Sequence, residues 1–328
     1  MKTYESSYWA TRVRVQQLVA GLLIGIPLLS SSHAWAVPIL EYKFNETGNT
    51  APSTGSDTTS VQFGTNNAGL GYTFPADLHG AAGSGVSEQS GDRAFDNTAS
   101  TAMGSPGAPG GGGVAIHAAD DNSVDDLQSF SAMGWFKSAD VFTTGARLIS
   151  SREPTSSGNG FSLFAGGTPG TLSVTIDNVT VTTATAFFNE TNKWVFFAVT
   201  YDGTTTSNNL IVYRGYRNAT EAGANPLLDD VAIFSVNEDG DGDIDQDSAL
   251  FAIGNSNLSE TTHSRRPYDG LLDNIRIFGA DTGASGVLLQ SELEAIRAAD
   301  AAVPEPNSIV LGLLGGVSIL AFRRRSRG

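Results

Sequence analysis

The chain has 328 residues, with 34 acidic residues against 19 basic ones, a formal net charge of −15 and no cysteine. The lack of cysteine excludes disulfide bonds, thiol catalysis and cysteine-bound metals. Between two unusual ends, residues 37–302 hold 32 acidic and 12 basic residues, a formal charge of −20. That charge disfavours nucleic-acid binding, which depends on cationic neutralisation of phosphates, and it offers many oxygen ligands to calcium.

The first 36 residues have the three parts of a secretory signal. Arg12 and Arg14 precede the apolar run LVAGLLIGIPLL (18–29), and two small residues, Ala34 and Ala36, frame a cleavage site. Twelve apolar residues are too few to span a bilayer, so a retained anchor is disfavoured. We expect export and cleavage after Ala36.

Short alternating or apolar runs, separated by turn-forming residues, fill residues 37–302 and predict an all-β fold, an antiparallel β-sandwich. The ten predicted strands are 39–44, 131–138, 147–151, 161–166, 172–177, 194–202, 209–215, 231–236, 249–255 and 271–279. In LSVTID the alternation turns Leu172 and Val174 to one face, and Ser173 and Thr175 to the other.

Two stretches of the same body do not read as strands. Residues 64–113 contain few strand candidates, and GSPGAPGGGG (104–113) predicts a flexible loop inside one continuous domain. Near the end, VLLQSELEAIRAAD (287–300) predicts a helix that has Leu288, Leu289, Leu293 and Ile296 on one face. We expect this helix to close the domain.

The acidic segment NEDGDGDID (237–245) has the spacing of a calcium-binding loop. The oxygen ligands would come from Asn237, Asp239, Asp241, Asp243 and Asp245. Calcium takes six to eight hard oxygens, and alternating Asp residues around a Gly turn bring such oxygens together. However, Ser248 stands where such loops carry a final acidic residue. The alternative is a solvated acidic hairpin turn.

The chain ends in a segment with the features of a membrane stop-transfer signal, residues 303–328. Pro304, Glu305 and Pro306 precede the uncharged stretch 307–322, and a basic cluster follows it. That cluster consists of Arg323, Arg324, Arg325 and Arg327. As a helix the uncharged stretch would be about 24 Å long, marginal for a hydrocarbon core of about 30 Å. The arginines would stay on the cytoplasmic side.

This combination of a Pro-Glu-Pro motif, a glycine-interrupted apolar helix and a terminal arginine cluster resembles the PEP-CTERM sorting signal. The resemblance implies recognition and cleavage by an exosortase, a membrane protease of bacteria that make exopolysaccharide. It also implies an exported protein of the cell surface or extracellular matrix. Membrane contact would be transient, through the C-terminal helix alone.

The body resembles the LamG-like, concanavalin A-like jelly-roll family. The segments that carry the resemblance are YKFNETGNTAP (42–52), SFSAMGWFKSAD (129–140), NKWVFFAVTYDG (192–203), LFAIGN (250–255) and PYDGLLDNIRIFG (267–279). Arg214 departs from the family pattern, in which an asparagine often precedes the glycine. We expect Trp135 and Trp194 to be buried in a core between two sheets.

The resemblance also implies a second calcium position beside the closing strand. Asp273 in GLLDNIRIF matches that position, and Asn45 in the opening strand is a candidate neighbour. The alternative is that Asp273 accepts hydrogen bonds in a turn. Tyr216 and Tyr268 lie beside turns and would be able to stack on a sugar if exposed.

No catalytic site is predicted by the sequence. Glycoside hydrolysis needs two carboxylates across the scissile bond, and the E-x-D-x-x-E run of laminarinase-like enzymes is absent. His79, His117 and His263 stand far apart and show no metal spacing. We therefore predict a non-catalytic, calcium-stabilised protein that binds exopolysaccharide or another glycan. A polysaccharide-active enzyme and a passive coat protein remain the alternatives, because fold alone does not decide activity.

Overall fold

The computed structural model describes residues 36–66, 72–98, 111–117, 122–139, 144–152, 159–184, 187–188, 190–222, 227–237, 250–256 and 266–302. These residues form sixteen strands, two α-helices and a short 3₁₀ turn (Asn122–Val124). In chain order the strands are β1 (Leu40–Tyr42), β2 (Thr50–Ala51), β3 (Val61–Asn66), β4 (Tyr72–Thr73), β5 (Phe95–Asp96), β6 (Gly112–His117), β7 (Ser129–Ser138), β8 (Arg147–Arg152), β9 (Gly160–Ala165), β10 (Leu172–Ile176), β11 (Val179–Thr182), β12 (Val195–Asp202), β13 (Leu210–Tyr216), β14 (Asp229–Phe234), β15 (Ala252–Ile253) and β16 (Gly270–Ala280). The helices are α1 (Ala219–Ala222) and α2 (Gln290–Ala301).

The strands form two sheets, in which the pairs are antiparallel. The first sheet has the order β1-β16-β7-β12-β13-β14, with β5 beside β16. The second sheet has the order β11-β10-β9-β8-β15-β6-β3-β2, with β4 beside β3. The predicted antiparallel sandwich is confirmed. In both sheets chain neighbours are often not sheet neighbours, so strands distant in sequence meet.

The main core lies between the two sheets. From the first sheet, Phe136 and Phe197 point into it, and Phe161 and Leu163 come from the second. All four side chains have no exposed surface. Their alternation along the strands follows from the two-residue period of a β-strand, which turns every second side chain inward.

A second apolar cluster lies on the other face of the first sheet, where α2 packs. Trp135 and Trp194 are fully buried there, together with Leu293 and Ile296 of α2. The predicted burial of both tryptophans is confirmed, but the prediction that they lie between the two sheets was wrong. Strand alternation turns Phe136 inward and its neighbour Trp135 outward, and the helix then covers the outward face.

The C-terminal helix begins later than its sequence pattern suggested. The predicted start at residue 287 was three residues early, because Leu289 is the N-cap and its backbone N–H donates to Glu292 Oε2 at 2.8 Å. Ser131 Oγ on β7 accepts the backbone N–H of Leu288 at 2.8 Å, which fixes the residues before the helix against the first sheet. The helix thus closes the domain as expected.

The glycine-rich region contains a strand that the sequence analysis did not predict. Residues 99–110 lie outside the described residues, but Gly112 and Gly113 begin β6 rather than ending a loop. The Gly113 N–H donates to Asn97 Oδ1 at 2.6 Å, and a Cβ at Gly113 would approach that oxygen to 2.9 Å. Glycine is therefore needed at Gly113 for a close contact, although its composition alone suggested a flexible loop.

Candidate functional site

The outer face of the second sheet carries two rows of mostly hydroxyl-bearing side chains, which we call the hydroxyl face. One row crosses β8 to β11 through Arg147, Phe164, Ser173 and Thr182. The other crosses the same strands through Ser150, Ser162, Thr175 and Thr180. Four neighbouring strands give each row a length of about 14 Å.

Hydrogen bonds join the hydroxyl groups across the strands. Ser173 Oγ lies 2.7 Å from Thr182 Oγ1, and Thr175 Oγ1 lies 2.8 Å from Thr180 Oγ1. Ser150 Oγ is different, since it is buried and forms no hydrogen bond within the described part of the chain. The face therefore holds ordered hydroxyls and one buried hydroxyl group that lacks such a bond.

An aromatic ring and a guanidinium group lie within the hydroxyl rows. The Arg147 guanidinium carbon stands 4.3 Å from the centroid of the Phe164 ring, and Arg147 Nη1 donates to Ser162 Oγ at 2.8 Å. The contact with the ring is a cation–π interaction. Phe164 is half-buried, Thr180 and Thr182 are exposed, and Arg147 is buried. The accessible part of the hydroxyl face therefore lies at Phe164 and along β11.

Part of this face was predictable from the sequence, and part of it was missed. The alternation of LSVTID predicted that Ser173 and Thr175 point away from the core, and the structure agrees. Phe164 was missed as a site residue. The signal was present in FSLFAG, where the same alternation sets Phe164 on the face of Ser162 and opposite Phe161.

The predicted calcium loop lies almost entirely outside the described residues. Residues 238–249, which include Asp239, Asp241, Asp243 and Asp245, are among those not described, while Asn237 is exposed. The chain leading into the loop is well held. Asn209 Oδ1 accepts the N–H of Val236 at 2.8 Å, and Asn209 Nδ2 donates to the Val236 carbonyl at 2.9 Å.

The second predicted calcium position, Asp273, is a fully buried carboxylate on β16. Its Oδ2 accepts the N–H of Val86 at 2.8 Å and its Oδ1 accepts the N–H of Asn274 at 2.7 Å. Burial raises the pKa of Asp273 well above its usual value, and the negative charges of Asp92 and Asp300 raise it further. Asp273 therefore accepts hydrogen bonds, as the alternative predicted. Its carboxyl group nevertheless remains close to the negative charges of Asp92 and Asp300.

Asn45, the predicted neighbour, binds the same loop as Asp273. Its Oδ1 accepts the N–H of Arg93 at 2.9 Å, while Asp92 Oδ2 accepts the N–H and the hydroxyl of Ser87, each at 2.7 Å. Within the described ranges, no three acidic or histidine side chains assemble as metal ligands. A cation beside Asp273 would relieve its unfavourable charge environment, but most of the six to eight calcium ligands would have to be backbone or water oxygens.

The two tyrosines predicted as sugar contacts have different environments. Tyr268 has no exposed surface and packs edge-on against Phe136, with ring centroids 6.4 Å apart. The exposure that a sugar contact requires is therefore absent at Tyr268. Tyr216 is half-buried at the end of β13, and burial raises the pKa of its hydroxyl. Neither tyrosine belongs to the hydroxyl face.

The two histidines that the structure describes are separate and lie in structural contacts. His117 Nε2 is 3.2 Å from Asp57 Oδ2, and His79 Nδ1 is 3.1 Å from Asp77 Oδ1. The ring of His79 also packs edge-on against Phe63 at 4.8 Å. Each histidine thus pairs with its own carboxylate, and the two do not form a common cluster.

The predicted sorting segments fall outside the described residues. These are residues 1–35, with Ala34, and residues 303–328, with Pro304, Glu305, Pro306, Arg323, Arg324 and Arg325. Ala36 is described and exposed. The helices that the structure does describe are too short or too polar for a membrane crossing.

Comparison with known proteins gives one family. The family model of the concanavalin A-like lectin/glucanases superfamily (Laminin_G_3) matches residues 109–285, which is more than half of the chain. No curated protein matches the chain. The matched region contains the hydroxyl face and Asp273.

Solved structures resemble the chain only distantly. The binding domain of botulinum neurotoxin DC, solved with rat synaptotagmin II, is 16% identical at a TM-score of 0.45, with 80% of this chain and 52% of that chain covered. A protein of Bacteroides ovatus ATCC 8483, named as a candidate carbohydrate-binding protein, is 18% identical at a TM-score of 0.36. The match covers 51% of this chain and 40% of that chain. A pentraxin of Limulus polyphemus is 13% identical at a TM-score of 0.37, and the match covers 52% of this chain and 70% of that chain. The chain thus spans 52% of the length of the first of these structures and 40% of the second.

Proposed function

We propose that this chain, which belongs to the concanavalin A-like lectin/glucanases superfamily, is an exported, non-catalytic glycan-binding protein. Membership of a superfamily of lectins and glucanases supports a carbohydrate ligand, although both binding and hydrolysis occur in it. The proposed role is adhesive or structural, in an exopolysaccharide matrix or at the cell surface. The PEP-CTERM resemblance of residues 303–328 supports this location, with an exosortase as the sorting partner.

The observation that carries the proposal is the position of Phe164 within the hydroxyl face. Carbohydrate is bound by hydrogen bonds to its hydroxyls and by contact of its apolar faces with aromatic rings, and binding sites generally combine apolar walls with a few polar groups. Phe164 provides the ring, while the exposed residues Thr180 and Thr182 provide hydroxyls two strands away, at about 10 Å across the sheet. In the proposed complex, Phe164 contacts the face of one sugar ring and the two threonines bond to hydroxyls of a neighbouring sugar.

Binding is tested on a glycan array that includes isolated bacterial exopolysaccharides, with reducing-sugar release measured on the same preparation. Phe164→Ala should lower binding at least about tenfold, by the loss of about 1.4 kcal/mol of ring contact. The matched control is Phe234→Ala, because Phe234 is also half-buried but lies on β14 of the first sheet. Binding that survives Phe164→Ala and falls in Phe234→Ala would refute the proposed face.

The same assay distinguishes the three functions that the sequence leaves open: a binding protein, an enzyme and a passive coat protein. Binding without release of reducing sugar supports a non-catalytic protein. Release of sugar by the wild-type chain would instead identify a polysaccharide-active enzyme. Absence of both would leave the passive coat protein.

We also propose that Ca²⁺ stabilises the domain, through the 237–245 loop and through Asp273. Calcium would supply positive charge that offsets carboxylates held in close proximity. Calorimetric titration with CaCl₂ should give binding heat for the wild type, and calcium should raise its unfolding temperature. Asp241→Ala should remove the contribution of the loop, and Asp273→Asn that of the closing strand.

Asp281→Asn is the control for these variants, because Asp281 is an exposed aspartate just beyond β16. It should keep the full calcium response. Heats from Asp241→Ala and Asp273→Asn that equal the wild-type heat would exclude both positions.

A further inference from the structure

Four elements of the domain meet at the guanidinium group of Arg276 on β16. Arg276 Nε donates to Glu41 Oε1 of β1 at 2.7 Å, and its two terminal nitrogens donate to the two carboxylate oxygens of Asp300 in α2 at 2.7 and 2.8 Å. Trp135 Nε1 of β7 donates to Asp300 Oδ2 at 3.0 Å. We call Glu41, Trp135, Arg276 and Asp300 the Arg276 cluster.

The cluster is charged and almost completely withdrawn from water. The exposed fractions of the Arg276, Glu41 and Asp300 side chains are 9%, 13% and 7%. Burial opposes the charge of Arg276, but Asp300 and Glu41 outweigh it and raise the pKa of the guanidinium. Burial likewise opposes the charge of Glu41, but bonds from Thr54 and Arg276 outweigh it and lower the pKa of that carboxyl. The ion pairs are therefore intact at neutral pH.

Equilibrium stability alone is a weak explanation for such a cluster. The cost of removing charges from water roughly cancels their attraction, and well-packed apolar residues often serve as well. The distinctive property of a bidentate buried ion pair is that separation of its two groups breaks two charge-assisted bonds and leaves two uncompensated charges. This property affects the rate of detachment more than the balance between the folded and unfolded states.

The cluster also holds both ends of the described domain. Asp300 lies in the last turn of α2, two residues before the described chain ends at Ala302, and Glu41 lies in the first strand. The other hydrogen bonds from α2 to the rest of the domain lie earlier in the helix, while Ala301 adds an apolar contact. The Arg297 guanidinium donates to the Tyr216 carbonyl, and Glu294 Oε2 accepts the N–H of Leu228 at 3.0 Å.

We propose that the Arg276 cluster is the force-bearing joint of this protein, which holds α2 on the first sheet when force acts on the C-terminal end of the domain. A pull on Ala302 reaches Asp300 before any other side-chain hydrogen bond between α2 and a strand. Without the cluster, the helix would detach turn by turn from its C-terminal end. With the cluster, the end of the helix detaches only after the two charge-assisted bonds and the indole bond to Asp300 have broken.

This inference rests on the proposed adhesive role and adds to it that the sorted protein is held at its C-terminal end, since force arises there only when the protein is held at that end and bound to a matrix. A joint of this kind is useful to an adhesive protein and has no use in a freely diffusing one. It assigns a function to α2 that glycan binding does not require.

The test is single-molecule pulling on the full chain, in which two introduced cysteines attach the handles. The natural chain has no cysteine, so Ser207→Cys and Ala302→Cys label it specifically. Both positions are exposed, and Ser207 lies in the β12–β13 turn. At constant force, Asp300→Asn should detach α2 about tenfold faster, equivalent to about 1.4 kcal/mol. Trp135→Phe, which removes the indole bond but keeps both bonds to Arg276, should give a smaller acceleration.

The matched control is Glu292→Gln, the same type of change at the other end of α2, where the side chain accepts the backbone N–H of its own N-cap, Leu289. It should leave the detachment rate unchanged. A second geometry, with handles at Ser207→Cys and Thr180→Cys, applies force without loading α2. There Asp300→Asn should have little effect.

Equal acceleration by Asp300→Asn in both geometries would show a general stabilising role and overturn the proposal. No acceleration through Ala302 would overturn it as well. The measurement uses neither glycan nor membrane, so a failure of glycan binding in the array assay would leave its outcome unaffected.

Discussion

At the scale of single residues, Trp135 and Trp194 show how two buried side chains of one type differ in their contribution. Both lie under α2 with no exposed surface. The indole N–H of Trp135 donates to Asp300, whereas that of Trp194 has no hydrogen-bond partner in the part of the chain that the structure describes. Burial of a donor without a partner carries a cost, so the two indole groups are not equivalent.

Phenylalanine substitutions test this difference. Trp135→Phe and Trp194→Phe remove similar apolar volume, but only the first breaks a hydrogen bond to a charged group. The free energy of unfolding in urea should therefore fall by about 1–2 kcal/mol more for Trp135→Phe. Equal losses for the two variants would contradict the assigned roles of the two N–H groups.

The environment of a residue could be predicted from the sequence when a local pattern determined the direction of its side chain. The outward direction of Ser173 and Thr175 followed from alternation within β10. The burial of Tyr268 did not, because it depends on packing against Phe136, which is 132 positions away in the sequence. Proximity to a turn predicts exposure only when no distant strand covers the side chain.

At the scale of elements, the pairing of β7 with β16 contains a feature that no single-strand pattern contains. The register shifts between Asp273 and Arg276, and Asn274 has a φ angle of 50°. Asparagine tolerates this left-handed conformation better than most residues. Gly134 of β7 lies opposite the irregularity, where a Cβ would overlap with Ile275 Cδ1 and approach Phe197 to 3.2 Å.

Gly134→Ala should therefore destabilise the protein by about 1–3 kcal/mol through overpacking. Ile275→Val removes the Cδ1 methyl group that the new Cβ would meet. The double variant Gly134→Ala/Ile275→Val should recover at least about 1 kcal/mol relative to the sum of the single losses, measured by a double-mutant cycle in urea. Simple additivity would show that this contact does not explain the glycine.

The ten predicted strands were found because their apolar or aromatic residues are dense enough to mark them. Six strands were missed. Three of them, β2, β4 and β5, are only two residues long, and the other three, β3, β6 and β11, were missed for different reasons. A glycine interrupts VQFGTN of β3, and a glycine-rich run precedes GGVAIH of β6. NVTVTT, which contains β11, follows a turn without a break. In each case the pairing partner, rather than the intrinsic propensity of the segment, decides that a strand forms.

At the scale of the whole molecule, the two outer faces of the sandwich differ in composition. The outer face of the first sheet is largely apolar and lies under α2 and the loop that contains Val86 and Ala94. The outer face of the second sheet is mixed, with an apolar cluster of Val114, Ile116 and Ala252 on β6 and β15 and the hydroxyl face on β8 to β11. The sequence could predict a sandwich, but not which outer face would be covered, because that depends on where a distant helix docks.

This asymmetry gives the molecule two separate sides in the proposed function. The hydroxyl face is the side that would bind glycan, and the Arg276 cluster, on the side of α2, would bear the force of attachment. Since the sheets are stacked, the two sides do not compete for the same surface. A variant that loses one property should retain the other.

The most direct test of the central claim is hydrogen–deuterium exchange of the full chain, with and without the glycan that binds most strongly on the array. The account predicts slower exchange in β9 to β11, over residues 160–182, when the glycan is present. Protection confined to the first sheet, or no protection at saturating glycan, would contradict it.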